Sequence, residues 1–262
     1  MTHFYLGVPE AVWLERMEVP CFASNIKLAK RKKLFKARTG WALDSGGFSE
    51  LAMHGRWKTT PAEYIDSIHR YQDEIGNLDW AVAQDWMCPP DLVHKTGLSV
   101  LEHQRRTVAN FLDLRSLDDT LPIIPVLQGW ERADYGAHVT MYQDAGIDLR
   151  EEHRVALGSI VRREHQSDTE DVVVELRAYG ISLHGLGVKT KGLKLYGYLL
   201  DSADSMSWSF NGRMGNNRDE WHPGCTLKTC ARCPEYALGW RTKILKGLDY
   251  QQTHLLMAAH DG

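Results

Sequence analysis

No apolar run in the 262 residues approaches the roughly 20 needed to cross a bilayer, so a membrane-spanning protein is not expected. Met1 to Glu10 lacks a basic segment followed by an apolar core; with no secretory leader, the expected location is the cytoplasm, or the host cytoplasm if the gene is a phage's. Internal repeats, low-complexity tracts and a linker-like stretch are missing, so residues 1–262 are expected to form one domain. A strong charge of either sign is missing too: the net charge is −3, which excludes the whole chain as an electrostatic glue for nucleic acid. A local basic run is present in Lys27, Lys30, Arg31, Lys32, Lys33, Lys36 and Arg38, readable either as a phosphate contact or as a solvated face. Neither G-x-G-x-x-G nor G-x-x-x-x-G-K surrounds the pair Gly46-Gly47, which argues against a nucleotide-phosphate cradle there.

Short apolar runs alternate with amphipathic stretches. Strands are expected at Pro20–Ser24, Trp41–Phe48, Trp80–Trp86, Ile123–Gly129, Arg154–Ile160, Ser182–Val188 and Ser202–Trp208, several apolar almost throughout, as in a sheet covered on both faces. Between them, Thr60-Pro61-Ala62-Glu63 carries a capping hydroxyl, a first-turn proline and a reaching carboxylate. Ser167-Asp168-Thr169-Glu170 repeats the box, with Gly180 as the stop. Further helices are expected over Val100–Leu114 and Arg132–Ala145. This alternation means a parallel α/β fold. Polar residues at strand ends (Asp44, Asp85, Gln128, Ser159 and Asp204) favour a (β/α)8 TIM-type barrel over an open sheet, because barrel sites assemble on that rim. An eighth strand is not evident, so irregular closure is expected.

Five segments carry candidate chemistry. Asp44-Ser45-Gly46-Gly47-Phe48 ends a strand in a carboxylate, two residues that let backbone approach a ligand, and a ring. Asp85 and Gln128 can together read a purine edge, the carboxylate accepting from N–H groups and the amide donating to a carbonyl; tying down loops is the plainer role for each. Asp201-Ser202-Ala203-Asp204 offers a carboxylate nucleophile toward a sugar carbon, the other carboxylate being solvated or salt-bridged. Cys225, Cys230 and Cys233, with His222 or His254 as fourth ligand, have spacings suited to a tetrahedral, structural Zn2+ within segment 222–254. Cys21 and Cys88 stand apart and are expected to be buried thiols.

In this order the segments resemble the tRNA-guanine transglycosylase superfamily over about residues 20 to 260. Asp44 to Phe48 is similar to its Asp-Ser-Gly-Gly-Phe/Tyr signature, Asp85 to its purine-reading Asp, and Gln128-Gly129 to its Gln-Gly. Leu157-Gly158-Ser159-Ile160, His184-Gly185-Leu186-Gly187-Val188, Asp201 to Ser205 and the cysteine cluster are similar to its later motifs. The first cysteine spacing departs from the family's, which keeps His222 open beside His254. The compact length resembles the phage and bacterial enzymes that place 7-deazaguanine bases into DNA, the DpdA group.

The resemblance implies exchange of guanine in DNA for 7-cyano-7-deazaguanine (preQ0) or a relative. Asp204 is implied as nucleophile and Asp44 as general acid/base. Ser45, Gly46, Gly47, Phe48, Asp85, Gln128, Gly158, Ser159 and Gly187 are implied around the base. Zn2+ is implied as structural, with no redox or nucleotide cofactor. The expected partners are DNA and a free deazapurine, with a homodimer left open. Three rivals remain: a tRNA-directed enzyme, an inactive zinc-stabilised nucleic-acid-binding homologue, and a sugar-directed barrel glycosidase, which would not need Asp85 and Gln128.

Overall fold

The computed structural model describes residues 2–160 and 166–260, with side chains described for 2–160 and 168–252. The described strands are β1 (His3–Gly7), β2 (Cys21–Ser24), β3 (Trp41–Asp44), β4 (Leu78–Val82), β5 (Ile123–Ile124), β6 (Val126–Leu127), β7 (Val155–Leu157), β8 (Leu183–Gly185) and β9 (Ser202–Ser205). All pairings between them are parallel, in the order β5-β4-β3-β2-β1-β9-β8-β7-β6. The two ends of that order are separated in the chain only by Pro125, whose nitrogen has no hydrogen to give a ladder. Its carbonyl still accepts from the Ala156 N–H at 2.9 Å. β5 and β6 therefore act as one stave, bonded to β4 on one side and β7 on the other. The result is an all-parallel barrel, as the strand-end polar residues indicated.

Each crossover is helical. α1 (Val12–Arg16) and α2 (Asn25–Leu28) are short; α3 (Gly47–His54) and α4 (Pro61–Glu74) join β3 to β4. α5 (Pro90–Thr96) and α6 (Val100–Leu117) follow β4, α7 (Arg132–Asp144) follows β6, α8 (Gln166–Ala178) follows β7, and α9 (Thr190–Tyr196) follows β8. After β9 come α10 (Ser207–Met214), α11 (Arg218–Trp221) and α12 (Pro234–His260). α4 has its complete capping box, Thr60 accepting from the Glu63 N–H while the Glu63 carboxylate reaches back. Two bonded end groups of this kind stabilise a helix start by about 1 kcal/mol.

The barrel interior is filled by rings as well as aliphatic side chains. Trp80 meets His184 at 4.6 Å and Tyr5 at 5.3 Å between centroids, and Phe22 meets His184 at 5.6 Å. Among the described residues, no helix is long and apolar enough to cross a membrane.

Several expectations need correction. The eighth stave is β1, which pairs with both β2 and β9 and was not anticipated. Strands end earlier than the apolar runs: β3 stops at Asp44 and Phe48 lies in α3, while β4 stops at Val82 although 83–86 stay buried. Apolar pattern reports burial, not ladder bonds. Ser207 and Trp208 belong to α10 rather than to the last strand. α8 already includes Gln166 and Ser167, so the Ser167 box is not its start; residues 161–165 lie outside the described residues.

Candidate active site

The carboxyl ends of the strands surround a cavity of about 880 Å³ lined by Asp44, Asp85, Asp204, Ser159, Phe48 and Gly187, among others. Three carboxylates from three different staves thus share one space. Sequence order alone does not place them together; the barrel does.

Asp204 lies within β9, paired in register with Tyr5. Its Oδ1 accepts from the Gly187 N–H at 2.7 Å and lies 3.3 Å from His184 Nε2. The other ring nitrogen, Nδ1, lies 2.7 Å from the Ser202 hydroxyl. Burial holds the imidazole pKa down, against the pull of Asp204, so the ring is neutral with one N–H. Placing that hydrogen on Nε2 satisfies both contacts: Ser202 donates to Nδ1 and Nε2 donates to Asp204. Among the described residues both bonds fall on Oδ1, and Oδ2 has no hydrogen-bond partner there.

Asp44 ends β3, accepting from the Ser24 hydroxyl and the Gly46 N–H. Burial pushes its pKa up, and the nearby Asp204 adds to the effect. Gly46 has a φ of 90°, and a Cβ there would lie 2.6 Å from the Ile26 side chain. Glycine is therefore required at this turn. Gly47 serves differently: a Cβ would lie 2.9 Å from Asp85 Oδ1.

Asp85 is pushed up to about 7, first by burial and then by Asp44. It accepts from the Ser45 hydroxyl at 3.3 Å through Oδ1 and from Gln128 Nε2 through Oδ2. Gln128 Oε1 in turn accepts from the Ser159 hydroxyl at 2.5 Å, and Ser159 Oγ from the Cys88 N–H at 2.9 Å. Gln128 is fully buried with both ends of its amide engaged, behind Asp85 rather than on the cavity wall. Gly158 makes room for it, since a Cβ would lie 2.2 Å from Gln128 Nε2. The Gly158 backbone is also engaged, its N–H giving to Leu127 O at 3.0 Å and its carbonyl accepting from Tyr135 at 2.9 Å. Ser159 adopts a left-handed φ of 59°, uncommon for a residue with a side chain and a mark of constrained geometry at sites.

Asp201 does not enter this space: it pairs with Arg177 at 2.6 Å and accepts from the Leu183 N–H at 2.8 Å. The sequence reading missed Ser24 and His184, the groups that hold Asp44 and Asp204. Ser24 ends β2 as Asp44 ends β3, which was a usable signal; His184, a histidine inside an apolar strand, gave none that separates a ligand from core packing.

Away from the barrel axis, His222, Cys225, Cys230 and Cys233 converge. Cys225 Sγ is 3.6 Å from Cys230 Sγ, and His222 Nδ1 is 3.1 Å from Cys233 Sγ and 4.0 Å from Cys230 Sγ. Glu235 meets His222 Nε2, which directs the Nδ1 lone pair at the thiols, the usual carboxylate–histidine support of a zinc ligand. Three thiols and one imidazole fit a closed tetrahedral site. The side chain of His254, the alternative fourth ligand, lies outside the described residues. Cys21 and Cys88 are buried as expected, with burial pushing the Cys21 thiol up to about 12.

Comparison with known proteins adds three findings. No curated protein matches the chain. The solved structure of Rhizobium etli pyruvate carboxylase with the allosteric activator acetyl coenzyme-A is similar at 12% identity and a TM-score of 0.40, over 95% of this chain and 25% of that one, so this chain spans about a quarter of that protein's length. The model of the family described as DpdA, DeoxyPurine in DNA protein A, matches residues 1–259, and the chain belongs to that family.

Proposed function

We propose that this chain exchanges guanine in DNA for a 7-deazaguanine base, preQ0 or a relative, through two displacements at one sugar carbon. Family membership supports a transglycosylase role with 7-deazaguanine in DNA. The observation that carries the finer reading is the opening of Asp44, Asp85 and Asp204 into one cavity.

The target nucleotide leaves its stack, at a cost of a few kcal/mol. Phe48, 42% exposed on the cavity wall, stacks on the base. Asp85 accepts from the purine's ring and exocyclic N–H groups, held in position by Gln128 and Ser45, with Ser159 closing the same wall. This narrows the sequence reading, in which Gln128 touched the base itself. Asp204 Oδ2 attacks C1′; the C1′–N9 bond breaks and its electron pair leaves with guanine. Asp44, whose pKa is raised first by burial, gives a proton to that leaving base. The resulting Asp44 carboxylate takes the N9 proton of the incoming 7-deazapurine, whose N9 attacks C1′ as the Asp204 ester bond breaks. Protons and charges balance, and two inversions retain configuration.

Zn2+ held by Cys225, Cys230, Cys233 and His222 would cross-link the segment after β9 and would take no part in the chemistry. Residues 1–262 then work as one unit in the cytoplasm, with DNA and a free deazapurine as partners. The test is nucleoside mass spectrometry of DNA from cells expressing the chain with a deazapurine supply. Deazaguanine in DNA is the expected result; modified tRNA with unmodified DNA would transfer the reading to the tRNA-directed rival.

A further inference from the structure

The face that opens the cavity carries features that base exchange leaves unused. α10 starts three residues after Asp204, and Met206, its N-cap, followed by Phe210 and Met214 within it, recur at every fourth position, 39%, 61% and 62% exposed. That spacing places them on one helix face. The opposite face is fixed from several sides. Trp208 is buried and gives its indole N–H to Gly7 O at 2.9 Å, and the Ser209 hydroxyl gives to Ala231 O at 2.7 Å. Gly212 O accepts from the Cys230 N–H at 3.0 Å, and a Cβ on Gly212 would lie 2.6 Å from the Cys230 carbonyl. α10 is thus clamped by the loop that carries the cysteines and cannot roll its apolar stripe inward.

The stripe continues into the catalytic cavity, which Met206 and Phe210 help to line. Lys189 and Lys191, both exposed, line the same cavity, and among the described residues neither pairs with a carboxylate. In a chain of net charge −3, an apolar stripe beside two unpaired cations at one opening is not an average surface. Its complement has apolar faces joined by anionic links.

Resting on the DNA-exchange reading, we propose that α10 and the Lys189–Lys191 corner form the docking surface for the DNA strand around the target nucleotide. Phe210 enters the gap the flipped base leaves, as apolar wedges do in other unstacked duplexes. Met206 and Met214 cover the adjoining base faces, and the two lysines hold the flanking phosphates. A wedge assists only where a paired, stacked base has to be displaced. Phe210 therefore matters for duplex DNA and little for a guanine that is already unpaired.

The experiment uses the full-length protein and guanine-containing duplexes with 2-aminopurine beside the guanine, whose fluorescence rises when the neighbouring base leaves the stack. A second set places the guanine opposite an abasic site. Phe210→Ala is expected to lower both the fluorescence rise and labelled-guanine exchange on the paired duplex by about tenfold or more. It should remain near wild type on the abasic set, and Phe210→Trp should retain both signals. Lys189→Ala with Lys191→Ala should reduce the slope of log affinity against log salt by about 0.9 per lysine. Equal loss on both DNA sets, or no loss on either, overturns the wedge, and an unchanged salt slope overturns the phosphate contacts. A wild-type protein that unstacks the base yet exchanges no guanine defeats the exchange reading alone. One that exchanges guanine with no dependence on Phe210 defeats this docking surface alone.

Discussion

Asp85 occupies a position where ionisation opposes folding. Its usual value is 3.8 and burial raises it to about 7, so between those pH values the folded chain holds a proton that the unfolded chain has released. Stability contributed by this residue therefore falls as pH rises from about 4 to 7, and the loss is complete above that window. Asp85→Asn cannot ionise, and it is expected to raise unfolding stability at pH 8 by on the order of 3 kcal/mol while leaving pH 4 nearly unchanged. The same variant should lose discrimination for guanine in exchange assays, a trade of stability for recognition. Denaturant melts at the two pH values check this; a variant no more stable at pH 8 than wild type would show that the carboxylate is not strained. The carboxylates were readable in the sequence because each falls at or near the end of an expected strand. The direction of Gln128 was not, since an amide at a strand end can face a ligand or a neighbouring carboxylate with equal ease. What decides is Gly158, whose missing side chain leaves space for the amide behind Asp85.

At the scale of elements, α4 followed from its capping box and α6 was expected over Val100–Leu114, whereas β1 was not anticipated. Its five residues begin with exposed His3 and lead to the five-residue α1, too short to display a helical period. Only its placement between β2 and β9 makes it a stave. The end of β4 went unread for a related reason: Ala83, Gln84, Asp85 and Trp86 are buried beyond the last ladder bond, and burial is all the pattern records. The cysteine loop was legible as a candidate metal site from its spacing, while the approach of His222 to Cys233 and Glu235 needed the fold. The loop also bonds directly to α10 through Cys230 and Gly212. Cys230→Ser, or removal of the metal by a chelator, is accordingly expected to loosen α10 and α11 before the barrel strands. Hydrogen exchange should show early loss of protection at 207–221 with β1 to β4 unchanged, together with loss of about one equivalent of zinc. A Cys230→Ser chain that keeps its zinc would remove Cys230 from the ligand set.

On the scale of the whole molecule, closure is what turns dispersed residues into a site. Asp44 and Asp204 are far apart in the chain, yet their staves are separated only by β2 and β1. With Pro125 joining the two ends of the sheet, the carboxyl ends form a ring around one cavity. Within it, Asp44, whose pKa burial raises, lies near Asp204, which accepts the Gly187 N–H through one oxygen. That asymmetry suits the displacement on a nucleotide sugar proposed above, in which Asp204 forms the bond. The most direct measurement is the intact mass of protein incubated with DNA, without an incoming base, and quenched by denaturation. The expected result is a DNA-linked species whose digest places the attachment on the peptide containing Asp204, absent from Asp204→Asn. A linked species that persists in Asp204→Asn, or attachment at any other residue, would contradict it.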